Sequence, residues 1–188
     1  MFIMPPIKTP ICDFGTKAKN FRLKSTNNKT VSLENIKGKN GTLIMFICNH
    51  CPYVKAVIKD IVEDCKKLED HGVKSVAISS NDPINYPEDS FENMLKFSRE
   101  NNFSFPYLFD ETQETAKLFQ AVCTPDFFGY NKDLELEYRG RIRELKDLKP
   151  IDSGDSDLYK AMKDIATTGK GPKEQVPSMG CSIKWFNN

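Results

Sequence analysis

Apolar side chains fall into runs of two kinds along the chain. Leu43-Ile44-Met45-Phe46-Ile47 is continuous and enters through Gly41-Thr42, which suits a central strand buried on both faces. Val54, Val57, Ile58, Ile61, Val62, Cys65 and Leu68 instead recur at helical spacing, with Lys, Asp and Glu between them. That spacing predicts an amphipathic helix of about five turns. Pro52 is well placed in its first turn, and His71-Gly72 ends it.

The same reading continues on both sides. Phe21-Arg22-Leu23 and Thr30-Val31-Ser32-Leu33 flank the turn-rich Ser25-Thr26-Asn27-Asn28, as in a hairpin. Val73 to Ser79 is a second strand. Pro87-Glu88-Asp89 opens a helix through Phe91, Met94, Leu95 and Phe97, which Asn101-Asn102 stops. Phe105 to Phe109 is a short strand, and Asp110 with Gln113 resembles a capping box for a helix through Ala116, Leu118 and Phe119. Asp126 to Tyr130 and Leu134 to Arg139 form a hairpin around Asn131-Lys132-Asp133. Leu158, Ala161, Met162 and Ile165 mark a last helix before Gly169. Residues 1–10, with Pro5, Pro6 and Pro10, read as a loose arm, and 170–188 as an irregular tail. The order is a hairpin at 11–34, then β-α-β-α-β-α-β-β-α. It predicts a single α/β domain over 1–188, with a mixed sheet covered by helices on both faces.

Composition narrows the function. Lys plus Arg number 27 and Asp plus Glu 26, a net charge of +1, so no basic excess exists to hold a nucleic acid. No apolar run reaches the roughly 18 residues of a membrane span. The first residues, MFIMPPIKTP, lack a signal-peptide pattern, and the expected compartment is the cytoplasm. There an even cysteine count does not imply a disulfide framework. Six cysteines stand at 12, 48, 51, 65, 123 and 181, and only Cys48 and Cys51 are close, as C-x-x-C. A four-ligand zinc site would need a second such pair, so no metal and no organic cofactor is implied.

The candidate chemistry lies at Cys48-Asn49-His50-Cys51-Pro52, where a buried strand runs straight into a helix. A helix N-terminus favours a thiolate, the attacking species in disulfide exchange, and can lower its pKa to about 3.5–7. Two intervening residues let both sulfurs sit on one turn, close enough to bridge. Cys48 is therefore expected as the accessible nucleophile and Cys51 as the resolving thiol, with His50 stabilising the Cys48 thiolate. Cys65, on the apolar stripe, reads as a core thiol, and His71 as structural.

With this motif followed by Val122-Cys123-Thr124-Pro125-Asp126-Phe127-Phe128, the chain resembles the thioredoxin-like superfamily. It is most similar to its peroxiredoxin-like (AhpC/TSA-related) redoxin branch. The matching segments include CNHCPYVK, SSNDPINYPEDSFENM, FPYLFDETQETAK, CTPDFF and PSMGCSIKW, spread over nearly the whole chain. The resemblance implies a thioredoxin-like three-layer α/β/α sandwich with an N-terminal hairpin extension. It implies a thiol–disulfide oxidoreductase with a cis Pro125 opposite the dithiol, and a substrate disulfide held along Thr124-Pro125. It also implies disulfide-bearing proteins or small thiols as substrates, and a cellular reductant such as thioredoxin or glutathione. Conventional thioredoxins carry Trp before the first Cys, Gly-Pro between the two and a buried acid on the entering strand; this chain has Ile47, Asn49-His50 and no acid there. Two alternatives stand beside this reading. A thiol peroxidase would use Cys51 or Cys48, but the usual Thr is Cys48 here and no Arg stands at 123–125. A non-catalytic interaction module would keep only the fold. Cys123, beside Pro125, and Cys181, on the tail near Trp185 and Phe186, are candidate auxiliary thiols.

Overall fold

The structure, a computed structural model, describes residues 6–10 and 13–186. Cys12 lies outside the described residues. In chain order the elements are β1 (Ile7–Lys8), β2 (Arg22–Ser25), β3 (Thr30–Ser32), α1 (Leu33–Ile36), β4 (Gly41–Phe46), α2 (Pro52–Glu69) and β5 (Val73–Ser79). A 3-10 turn (Pro87–Asp89) precedes α3 (Phe91–Glu100), β6 (Tyr107–Phe109), α4 (Glu114–Phe119), β7 (Cys123–Thr124), β8 (Asp126–Asn131) and β9 (Leu136–Tyr138). The chain ends with β10 (Leu145–Lys146), β11 (Lys149–Pro150), α5 (Asp157–Thr168) and β12 (Met179–Ser182).

The main sheet has seven strands in the order β3-β2-β6-β5-β4-β8-β9. Strand β4 sits near its middle, parallel to β5 and antiparallel to β8, and every residue of it is buried. Successive side chains of β4 point to opposite faces. Leu43 and Met45, with Ile47 beyond the strand, join a core with Val54, Ile61 and Leu68 of α2 and with Met162 and Ile165 of α5. Ile44 and Phe46 join a second core with Leu33 and Ile36 of α1, Ala116 and Phe119 of α4, and Phe128. This is the three-layer sandwich expected from the alternating elements. Burial of each large apolar side chain of α2 contributes roughly 1.5–3 kcal/mol, so the helix is held to the sheet far more strongly than propensity alone would hold it.

The pattern missed short pieces. Asp110 does not cap α4 as an N-cap; Gln113, in the left-handed conformation, takes that place. Asp110 instead accepts from the Thr115 and Ala116 N–H groups at 3.2 and 2.9 Å. The arm is not loose throughout, because β1 pairs antiparallel with β12, Ile7 opposite Gly180. The tail is not irregular throughout either: β12 lies between β1 and β7 in a second, three-stranded sheet. Beyond it, Lys184 N–H donates to Asn81 Oδ1 (2.9 Å) and Phe186 N–H to Gln113 Oε1 (2.9 Å). Backbone bonds dock this end while Trp185 stays 39% exposed, so burial of the indole is not what holds it. Among the described residues, no helix is long and apolar enough to cross a membrane.

Candidate active site

Strand β4 delivers Cys48 and Cys51 to the N-terminus of α2. Cys51 is the N-cap residue and Pro52 follows in the first turn, where its missing N–H costs nothing. Across from them the Thr124-Pro125 bond is cis. Thr124 touches both sulfurs: its hydroxyl lies 3.3 Å from Cys48 Sγ, and its carbonyl oxygen accepts from Cys51 Sγ at 3.1 Å. The two thiols and Thr124, far apart in sequence, therefore form one cluster.

Exposure differs from expectation. Cys48 is 1% exposed and Cys51 not at all, so Cys48 is not an open nucleophile. The groove beside Thr124 is also filled. In the pairing of β12 with β7, Cys181 stands opposite Thr124 and Ser182 opposite Cys123. An incoming strand cannot pair with Thr124 there while β12 holds that edge.

The electrostatics favour ionisation of Cys51 over Cys48, where the sequence pointed to Cys48 as the nucleophile. Cys51 is held far below the ordinary thiol range, first by a hydrogen bond from Cys181 and next by one from Cys48; Thr124 and the Val54 N–H add to this against the cost of burial. Cys48 is pushed well up, chiefly by burial, then by its bond to Cys51 and by the charge of Asp89. Of the two thiols, Cys51, at the positive end of the helix, is the one whose ionisation these surroundings favour.

His50 hydrogen-bonds to Asp89 while a ring nitrogen lies within 4.8 Å of Cys48 Sγ. Its Nδ1 lies 2.6 Å from Asp89 Oδ2, and its ring stacks on Tyr86. The bond to Asp89 raises the His50 pKa against the opposing effect of burial. Asp89 is fully buried and also accepts from the Asn49 N–H (2.8 Å), the His50 N–H (3.3 Å) and Asn81 Nδ2 (2.7 Å). It fixes the loop between the cysteines. Sequence reasoning saw Asp89 only as a helix-opening acid; a lone carboxylate in a polar stretch carries no signal of its long-range partner.

The remaining cysteines separate clearly. Cys65 is buried and pushed up to about 12 by desolvation, as a core thiol should be. Cys123 is buried and also raised by desolvation, and its Sγ donates to Pro125 O at 3.6 Å. Cys181 is a free thiol and partly exposed, and its interaction with Cys51 pushes its own pKa up as it lowers that of Cys51. His71 Nε2 lies 3.2 Å from the Tyr159 hydroxyl, away from the dithiol chemistry. One group among the described residues could present ligands to a metal: Cys48, His50 and Asp89 have ligand atoms within 4.8 Å of one another. The four donors already on Asp89 compete with that use.

A cleft of about 250 Å³ has Pro125, Tyr53, Val57, Ile142 and Val176 in its walls. Arg141 and Arg143 also line it. Both are neutralised, Arg141 by Asp157 (2.8 Å) and Arg143 by Asp60 (2.9 Å).

No curated protein matches the chain. An uncharacterized conserved protein from Geobacillus kaustophilus is 41% identical, with 98% of each chain covered and a TM-score of 0.93. A hypothetical protein from Sinorhizobium meliloti 1021 is 31% identical, covering 96% of this chain and 99% of that one, with a TM-score of 0.89. The thioredoxin domain of a thiol-disulfide oxidoreductase from Bacteroides vulgatus shares the fold at 17% identity and a TM-score of 0.64, over 83% of this chain and 99% of its own. The AhpC/TSA family model matches residues 14–145, and with that match spanning the sheet, the dithiol loop and the Thr124-Pro125 turn, this chain belongs to the AhpC/TSA family and has a thioredoxin-like fold.

Proposed function

We propose that the protein is a thiol–disulfide oxidoreductase whose redox couple is the Cys48/Cys51 dithiol. The observation that carries this reading is the shared residue Thr124, which holds Cys48 Sγ at 3.3 Å and Cys51 Sγ at 3.1 Å on one helix N-terminus. Two thiols gathered on one residue, with two residues between them in the chain, are arranged to close to a disulfide. Cys51 supplies the thiolate, and Cys48 keeps its proton until a disulfide forms on Cys51. Thr124 then orients both sulfurs. Substrates are disulfide-bearing proteins or small thiol disulfides, and a cellular dithiol or glutathione returns the couple to its reduced form.

A thiol peroxidase is the second reading, favoured by one feature: a thiolate at Cys51 followed by Pro52. Peroxide chemistry also needs a donor aimed at the leaving oxygen. The side chains that dominate the charge state of Cys51 are thiols and Thr124, and none is a guanidinium. Turnover separates the two. The purified protein with a dithiol reductant should reduce insulin disulfides and form a Cys48–Cys51 bridge on oxidation. Rapid peroxide consumption with no disulfide turnover would transfer the assignment to the peroxidase.

A further inference from the structure

Strand β12 occupies the place where an extended substrate would pair with Thr124, and it brings a cysteine with it. Several contacts seat it there. Ser178 Oγ donates to Pro125 O at 2.7 Å, Thr9 N–H donates to Ser178 O at 2.9 Å, and Ile183 N–H donates to Val122 O at 3.2 Å. Gly180 allows the close approach, since a Cβ on it would fall 2.0 Å from Thr124 O. The next residue, Cys181, pairs with Thr124, the residue that also touches Cys48 and Cys51. Of these three thiols, Cys48 and Cys51 are buried and Cys181 is partly exposed.

We propose that Cys181 is a third redox thiol, the relay through which the buried dithiol exchanges with external disulfides. The proposal rests on the dithiol reading above. An external disulfide R–S–S–R meets Cys181 first. Cys181, the partly exposed thiol, gives its proton to solvent as it attacks, forming a Cys181–S–R bond and releasing one thiolate, which takes a proton from solvent. The Cys51 thiolate then attacks Cys181 sulfur. The second R–S leaves as a thiolate and is protonated by solvent, and a Cys51–Cys181 disulfide remains. Cys48 next attacks Cys51 sulfur, closing Cys48–Cys51, and its proton goes to the departing Cys181. In sum, one external disulfide becomes two thiols, the dithiol becomes one disulfide, and Cys181 is restored. The closely held pair makes the second step intramolecular, which is its advantage over direct attack by a buried sulfur.

The pairing of Cys181 with Thr124 supports this order, because Thr124 also touches Cys51 and so brings both thiols to one residue in the reduced protein. Attack along a disulfide needs such proximity.

The test uses the full chain with Cys48→Ser, which removes the last acceptor and should halt the relay at its intermediate. After reaction with a small aryl disulfide, non-reducing peptide mapping should find Cys51 joined to Cys181. Cys51 left carrying the aryl thiol with Cys181 free would overturn the proposal. In an otherwise unaltered chain, Cys181→Ser should slow aryl-disulfide reduction about tenfold or more, with Cys181→Ala as a second variant against misfolding. A wild-type rate in both, with Cys48–Cys51 still closing, would sink the relay and leave the dithiol reading standing. Failure of the unaltered protein to close Cys48–Cys51 would sink the dithiol reading instead, and the map of the Cys48→Ser protein would still decide whether Cys51 and Cys181 bond.

Discussion

Gly180 passes so close to Thr124 that a Cβ on it would lie 2.0 Å from the Thr124 carbonyl oxygen. That oxygen is also the acceptor for Cys51 Sγ, so one carbonyl is the meeting point of the tail strand and the thiol pair. A side chain at 180 has backbone, not a flexible tip, in its way, and β12 must lift to accommodate it. Gly180→Val should therefore expose the dithiol. Alkylation of Cys48 and Cys51 under native conditions should rise several-fold while Cys65 stays unlabelled; unchanged labelling would mean that β12 is not the cover.

Cys51 should remain ionised well below the usual thiol value of about 8.5. Hydrogen bonds from Cys181 and Cys48 are the main cause. The far-ultraviolet thiolate absorbance of the reduced protein should persist at neutral pH and disappear in Cys51→Ser. The sign for stability follows: a depressed folded pKa stabilises above the unfolded value, and the gain is lost as pH falls through the folded one. The raised Cys48 has the opposite sense, losing stability above the unfolded thiol value. Acid titration of the absorbance is thus the cleaner measurement.

His50 carries a pKa raised by its bond to Asp89. Stability from that pair is full below the unfolded value of about 6.5 and is lost as pH rises through the higher folded value. Proton NMR of the His50 ring should give a midpoint above that of His50 in an Asp89→Asn variant. Because Asp89 also accepts from Asn49 and His50 backbone N–H groups and from Asn81, the variant should lose about 2–4 kcal/mol in denaturant unfolding. A variant with an unshifted His50 midpoint would mean that the carboxylate does not hold the ring.

Much of this architecture could be read from periodicity. The continuous run at 43–47 and the helical stripe from Val54 to Leu68 each obey one rule along their whole length, and both appear where expected, as β4 and α2. The tail obeyed none. Met179–Ser182 pairs with residues more than fifty positions away on one side and with the chain start on the other, so its strand character comes from partners, not from its own pattern. The same limit applies to the site. C-x-x-C at a strand–helix junction was visible, but the contacts that favour ionisation of Cys51 were not, because Thr124 and Cys181 reach it through space. For His50 the limit falls on its partner: the ring does come within 4.8 Å of Cys48 Sγ, but the buried Asp89 that holds it left no signal in the sequence.

Asp64 offers a separate pH signature. Burial raises its pKa to about 6, against a hydrogen bond from Ser156 Oγ at the start of α5. The folded protein then binds a proton more readily than the unfolded chain, so stability should fall as pH rises from about 4 to about 6. Asp64→Asn keeps an acceptor for Ser156 and should flatten that slope, with a gain on the order of 1–2 kcal/mol at neutral pH. Thermal unfolding of both proteins across this range is the check; a parallel pair of curves would rule out Asp64 as the source.

The turn that carries Thr124 is braced from below by a buried ion pair. Arg139 Nη2 donates to Asp126 Oδ2 at 2.9 Å and to Gln120 O at 2.8 Å, and its guanidinium lies 4.4 Å over the Phe128 ring. Asp126 Oδ2 in turn accepts from Val122 N–H at 3.2 Å, closing the turn around Cys123-Thr124-Pro125. Burial raises the Asp126 pKa, and Arg139 opposes the rise. Arg139→Met removes the guanidinium and leaves the buried Asp126 carboxylate without its counter-ion, at a cost of about 3–5 kcal/mol. Adding Asp126→Asn should return part of that loss, because the stranded charge is gone. The double-mutant cycle, read by denaturant unfolding, should thus show strong coupling. Dithiol turnover should fall in Arg139→Met even where the protein is fully folded, since Thr124 loses its support. Additive single effects with unchanged turnover would show that the pair does not brace the site.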